Sequence, residues 1–242
     1  MASKRKINND VFMKTFIRIS CLCVIISACS SSHRKESARD FYFPYRDLFQ
    51  GAIYKFVNDG DSSDVFKWKM MALLEGKDTM LVTEIFRNGN FKLEEQKEML
   101  GTRSSKLLSC CFYPIDSTGE VYQSKCEVEE DSVYKWKAEP GDSCRWRVKY
   151  KEDGKPITVV RTRCFTGDSV TVNCFGKDVK CMEFYDRYDL SSTVKDSTGA
   201  EKPQHTSYFI LNYFARNTGL VKYKVCLPGQ KPKDYRLMKV EK

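Results

Sequence analysis

Residues 65–70 read VFKWKM, and this stretch decides the fold. Phe66, Trp68 and Met70 share one side of an extended chain, while Val65, Lys67 and Lys69 share the other, because successive side chains of a strand point to opposite faces. An apolar period of two with aromatic enrichment is the mark of a half-buried β-strand. Val170, Val172 and Cys174 alternate in the same way with Thr171 and Asn173.

Working outward, turn signals bracket such segments: Asn58-Asp59-Gly60-Asp61, Glu75-Gly76-Lys77-Asp78, Asn88-Gly89-Asn90, Asp116-Ser117-Thr118-Gly119, Pro140-Gly141-Asp142, Asp153-Gly154-Lys155, Thr166-Gly167-Asp168 and Asp196-Ser197-Thr198-Gly199. Gly and Asn supply positive φ, and Asp accepts local backbone hydrogen bonds. Turns at strand-length intervals predict an antiparallel meander. The expectation is a mainly β protein: one strongly curved antiparallel sheet or an incomplete barrel of about ten to twelve strands, since long sheets curl. Helix is expected to be scarce, limited to a turn or two at Glu94–Leu100 and at Phe43–Phe49.

The first thirty residues differ in kind. Lys4, Arg5, Lys6, Lys14 and Arg18 precede an apolar run from Ile19 to Ala28. A basic start, a short apolar stretch and small residues form a secretory signal. About ten apolar residues fall well short of the roughly twenty that a spanning helix needs. Either Met1 or Met13 can serve as the start. The run ends in Ile26-Ser27-Ala28-Cys29, which resembles the lipobox of bacterial lipoproteins. That resemblance implies cleavage before Cys29, a diacylglycerol thioether on its sulfur, and a membrane as partner; two or more acyl chains hold a protein stably on a bilayer. Residues 1–28 are therefore expected to be a signal peptide, 29–40 a polar tether and 41–242 a single antiparallel β domain. By resemblance to lipoprotein sorting rules, Ser30 after the cysteine favours the outer membrane. The acidic run of surface-exported Bacteroidota-type lipoproteins is missing, which favours a periplasm-facing anchor.

The chain carries 41 Lys/Arg against 32 Asp/Glu, a formal charge of +9. Residues 1–28 hold five of those cations and one Asp, so the charge of the remainder falls to +5. No arginine-rich stripe survives, and nucleic acid is not an expected partner. Of 11 cysteines, Cys21 and Cys23 leave with the signal and Cys29 is the lipidated one. The other eight are candidates either for disulfides in an oxidising compartment or for small buried apolar side chains. One pairing has a geometric basis: a hairpin through Asp116–Glu120, with Gly119 at positive φ, sets Cys110 opposite Cys126.

Catalytic chemistry has little to draw on. The two histidines are His33, in the tether, and His205, in a polar loop. Gly141-Asp142-Ser143 and Gly167-Asp168-Ser169 spell the start of a serine-hydrolase block, but both are expected in hairpin turns instead of the strand-to-helix elbow that chemistry uses. Cys110-Cys111 and Cys174/Cys181 lack zinc-site spacing, and Glu127–Asp131 reads as a solvated strand end. No catalytic residue, metal or cofactor is expected. The unusual resource is aromatic: 13% of the chain. Most of it is expected to fill the core. A sharper reading makes Trp68, Trp136, Tyr208 and Tyr213 part of an apolar groove on the concave face that accepts a lipid or peptide.

Two further stretches carry a resemblance. Tyr213-Phe214-Ala215-Arg216-Asn217-Thr218-Gly219-Leu220-Val221-Lys222-Tyr223 resembles the closing strands of exported bacterial lipoproteins, and Phe43-Pro44 through Gly51-Ala52-Ile53-Tyr54 resembles their opening element. The resemblance implies a curved antiparallel sheet, broadly similar to carriers of the LolA/LolB kind, and brings no catalytic residues. The function expected is that of a non-enzymatic, membrane-tethered envelope protein that binds or scaffolds another envelope component, a protein or a lipid. The alternatives are a carrier of a lipid or acyl chain, or an enzyme acting on envelope polymer.

Overall fold

Alternation carries through most of the described residues. A computed structural model describes residues 37–89, 91–195 and 199–242. Cys29 and residues 29–36 of the tether lie outside the described residues. The strands are β1 (Ala52–Asn58), β2 (Asp61–Glu75), β3 (Asp78–Arg87), β4 (Phe91–Leu100), β5 (Ser104–Phe112), β6 (Ser124–Lys125), β7 (Glu127–Lys135), β8 (Ser143–Glu152), β9 (Lys155–Cys174), β10 (Lys177–Lys195), β11 (Glu201–Ala215), β12 (Gly219–Cys226) and β13 (Lys233–Glu241). All pair antiparallel with sequence neighbours, except that the two-residue β6 sits beside β5 and lets β7 reach β5 as well.

The expected incomplete barrel is closed. β1 pairs with β13 from Ile53↔Glu241 to Asn58↔Tyr235, and β4 pairs with β5, so twelve strands form a ring without a free edge. Closure satisfies the backbone groups that an open sheet would leave bare at its edges. The ring lies wholly within residues 37–242 and encloses its own hydrophobic core, so every strand pairing and core residue of the barrel belongs to this segment.

Two local expectations are also corrected. Glu94–Leu100 is strand β4, not a helical turn. Thr166-Gly167-Asp168 is no hairpin but a bulge inside β9, between Phe165↔Phe184 and Ser169↔Met182. Gly167 has φ +86°, and a Cβ there would come within 2.7 Å of Pro140 Cγ, so the backbone needs both the left-handed conformation and the empty space.

One end of the ring is plugged. Ala38–Asp40 and Tyr45–Leu48 form 3-10 turns. Ser37 Oγ and Ala38 N–H both donate to Trp136 O, at 2.9 Å each, and Asn217 N–H donates to Asp40 O at 3.1 Å. Residues 37–40, which the sequence placed in the tether, are thus part of the folded body. Phe41, Tyr42, Phe43 and Leu48 are all buried beneath these turns.

The opposite rim of the β13–β1–β2 seam is tied by one carboxylate. Asp64 accepts from Tyr235 Oη (2.6 Å), Asn58 Nδ2 (3.3 Å), Lys233 Nζ (3.3 Å) and Arg87 Nε (3.2 Å). Burial alone would raise its pKa, but these donors and the Arg87 charge outweigh it and hold the group down, to about 2 from 3.8. A depressed folded value contributes stability that is present above the unfolded pKa and lost as pH falls through the folded one. We therefore expect about 2 kcal/mol from this group at neutral pH, fading between pH 4 and 2. In urea melts at stepped pH, the advantage of wild type over Asp64→Asn should shrink across that window; a constant gap would reject the assignment.

Candidate ligand cavity

A ring of about eight strands is just wide enough for side chains to fill, and wider rings leave space. Twelve strands, plugged at one end, leave a cavity of about 400 Å³ above the plug. Tyr42 and Phe43 line its base, and Phe66, Trp68, Ile85, Leu190, Val225 and Leu227 carry an apolar lining up the walls. Many of these side chains are only partly buried although they face inward, since they border the cavity instead of packed protein.

Polar groups cluster on two strands. On β4, Glu94, Gln96 and Glu98 take alternate, inward positions. Glu98 accepts from Tyr42 Oη at 2.8 Å, which ties the wall to the plug. Glu94 accepts from Gln96 Nε2, and burial pushes its carboxyl above the usual range. On β9, Val159, Arg161, Arg163 and Phe165 alternate inward, so two arginines enter an otherwise apolar face. Arg163 meets Asp186 of β10, its direct cross-strand partner, through Nε–Oδ1 (2.7 Å) and Nη2–Oδ2 (2.6 Å), a bidentate fork. Its guanidinium also lies over the rings of Tyr134 (5.2 Å) and Phe214 (5.5 Å).

Arg161, one level higher, has no such carboxylate. It stands in a cross-strand row, Trp146–Arg161–Tyr188–Tyr208, that runs over β8, β9, β10 and β11. Tyr188 and Tyr208 stack at 4.9 Å, and the guanidinium lies 5.1 Å from the Trp146 ring centroid. Burial pushes the Tyr188 hydroxyl up to about 12, so it remains a neutral donor at physiological pH.

Of the four aromatics expected to form a groove, the cavity brings together Trp68 and Tyr208. Trp136 is buried at the plugged end, where its Nε1 donates to Gly101 O at 2.8 Å. Tyr213 is half-buried and borders no part of the cavity; it lies on the face opposite Asn212. Cys110 and Cys126 stand opposite each other, with Cys126 N–H donating to Cys110 O at 2.9 Å, but both are free thiols and no disulfide joins them in this structure. The charged members of the site, Arg161, Arg163, Asp186 and Glu94, were not expected from sequence.

No family model matches the chain, and no curated protein matches it by sequence. Among solved structures, a Bacteroides fragilis protein described as exported and as having a YmcC-like fold aligns with a TM-score of 0.52. Identity is 12%, over 84% of this chain and 99% of that one. The fold is YmcC-like. A Parabacteroides distasonis protein described as a lipoprotein aligns at TM-score 0.47 and 9% identity, over 83% of this chain and 98% of its own. The Escherichia coli lipoprotein YmcC aligns at 0.28 and 13%, over 81% and 88%. In the YmcC-like barrel described above, part of the interior is packed core and part is a lined pocket, whose size falls in the range of about 300–1,000 Å³ typical of ligand sites.

Proposed function

We propose that the protein is a lipid-anchored envelope protein that holds an apolar ligand inside its barrel, without catalysing a reaction on it. The observation that carries this reading is the apolar cavity of about 400 Å³ enclosed by a ring whose other end is plugged. A pure scaffold has no need of such a space: filling it would add buried apolar contact and stability, so an empty interior is retained at a cost. The anchor half of the proposal rests on the Ile26–Cys29 lipobox, and it is supported by the description of the Bacteroides fragilis structure as an exported protein. A tether on the outer membrane, facing the periplasm, puts a carrier beside the lipids it would take up. The lining carboxylates do not form an acid–base pair over an open cleft: Asp186 is consumed by Arg163 and Glu98 by Tyr42.

One preparation tests both halves. Cells fed a palmitate analogue should label the full-length protein and leave Cys29→Ala unlabelled. The segment 30–242, exported behind a cleavable signal that adds no lipid and examined by native mass spectrometry, should carry a co-purified amphiphile. Equal labelling would remove the anchor, and a mass matching the bare polypeptide, under conditions that also fail to load added amphiphile, would remove the carrier.

A further inference from the structure

Buried polar atoms without partners are rare in folded proteins, and each one calls for a cause. Among the described residues, the partnerless buried atoms that belong to the cavity wall are Trp68 Nε1, Trp146 Nε1, and Nε and Nη2 of Arg161. All four are donors. Arg161 is only 7% exposed, and a guanidinium taken out of water without an anion costs several kcal/mol. The contrast with Arg163 is sharp: same strand, same face, two residues on, yet Arg163 has a carboxylate in a bidentate fork. None of the nearby carboxylates bonds to Nε or Nη2 of Arg161. Asp186 is taken by Arg163 and Glu98 accepts from Tyr42, while Glu94 feels the Arg161 charge without bonding to it, and its burial disfavours the ionised form.

We infer that the barrel takes an amphiphile with one anionic head, the head bound by Arg161 beside Trp146 and the apolar chain lying among Phe66, Trp68, Ile85, Leu190 and Val225. The inference rests on the binding role proposed above and adds to it the charge and position of the ligand head. An anion supplies acceptors where the wall offers donors, and in a low-dielectric site a charge-assisted bond to a guanidinium is among the stronger ones. The cation–π contact with Trp146 offsets part of the cost of burying the guanidinium and keeps it in place.

The test compares amphiphiles of one chain length on segment 30–242, which contains the complete ring: dodecanoate, dodecan-1-ol and dodecyltrimethylammonium, by titration calorimetry. Dodecanoate should bind at least about tenfold more tightly than the alcohol, the size of one charge-assisted hydrogen bond, and the cation more weakly still. Arg161→Met should bind acid and alcohol alike, while Arg161→Lys keeps part of the preference. Should the alcohol equal the acid on the wild-type protein, or Arg161→Met keep the acid preference, the head-group assignment falls while the cavity reading stands. Should none of the three bind, the cavity reading falls with it. The head-group comparison on wild type needs no variant, so a poorly folding Arg161→Met would not rescue the proposal.

Discussion

Replacing Asp186 with Ala should destabilise the barrel by about 3–5 kcal/mol, because it strands the Arg163 charge inside the protein. Asp186 is 2% exposed, and its carboxylate accepts both arms of the fork from Arg163. The rings of Tyr134, Phe184 and Phe214 surround that guanidinium and offer no anion in its place. The pair itself is not the source of stability. Burying two charges costs nearly as much as their attraction returns, so Arg163→Met with Asp186→Leu should leave stability within about 2 kcal/mol of wild type. Urea unfolding followed by tryptophan emission measures all three proteins. If Asp186→Ala and the double variant lost the same amount, the cost would come from lost packing and not from an orphaned charge. Arg161→Met extends the series in the opposite direction: with no carboxylate bonded to Nε or Nη2 and only the unbonded Glu94 losing its attraction, its removal should be neutral or stabilising. A residue whose loss stabilises the fold is what a binding site looks like in the absence of its ligand.

The difference between these two arginines also marks how far the sequence could be read. The strands around Val65–Met70 were legible because their buried face is apolar, and the turns because Gly and Asn hold positive φ there. Strand β4 was not legible as a strand: its inward positions are Glu94, Gln96 and Glu98, and a polar inner face hides the period-two signal. The cavity that makes those residues useful is the same feature that made the strand look helical. Closure was hidden for a different reason. The pairing of β1 with β13 joins the two ends of the domain, and no local pattern encodes a partner so distant in the chain. Gly167 read as a hairpin because its conformational requirement is real, but the chain uses it to bulge beside Pro140 and then continues in the same direction. Trp136 and Tyr213 show the limit of composition. Aromatic residues signal burial, and only the register tells which of them face the plug, the outer surface or the cavity. One signal was available and unused: Val159-x-Arg161-x-Arg163-x-Phe165 sets two cations at alternate positions within an apolar strand face, a pattern that an ordinary core strand avoids.

The plug gives the second large effect, and a sharper one than simple loss of packing. Phe43 is buried against Tyr42, Tyr54 and Phe214, in edge-on contacts with centroids 5.4 to 6.0 Å apart. Phe43→Ala should cost about 3–5 kcal/mol, as for other large-to-small changes in a core. Its ring also occupies the space where residue 219 would carry a Cβ: that atom would sit 2.5 Å from Phe43 Cδ1, on a backbone with φ +85°. Gly219→Ala therefore meets two penalties in the wild type, the left-handed conformation at roughly 1–2 kcal/mol and a clash with the ring. In the Phe43→Ala background only the conformational penalty remains. The two changes should consequently be non-additive, the double variant being more stable than the sum by about 1–3 kcal/mol. Strict additivity would mean that Phe43 does not rest on Gly219 and that the base of the cavity is built otherwise. The coupling also has a consequence for binding. Phe43 is the point where plug, wall and cavity base meet, so its removal opens the apolar space downward toward Gly219, away from Arg161. Chain-length preference for bound amphiphiles should then shift to longer chains while the preference for an anionic head persists, because the two ends of the ligand are read by different residues.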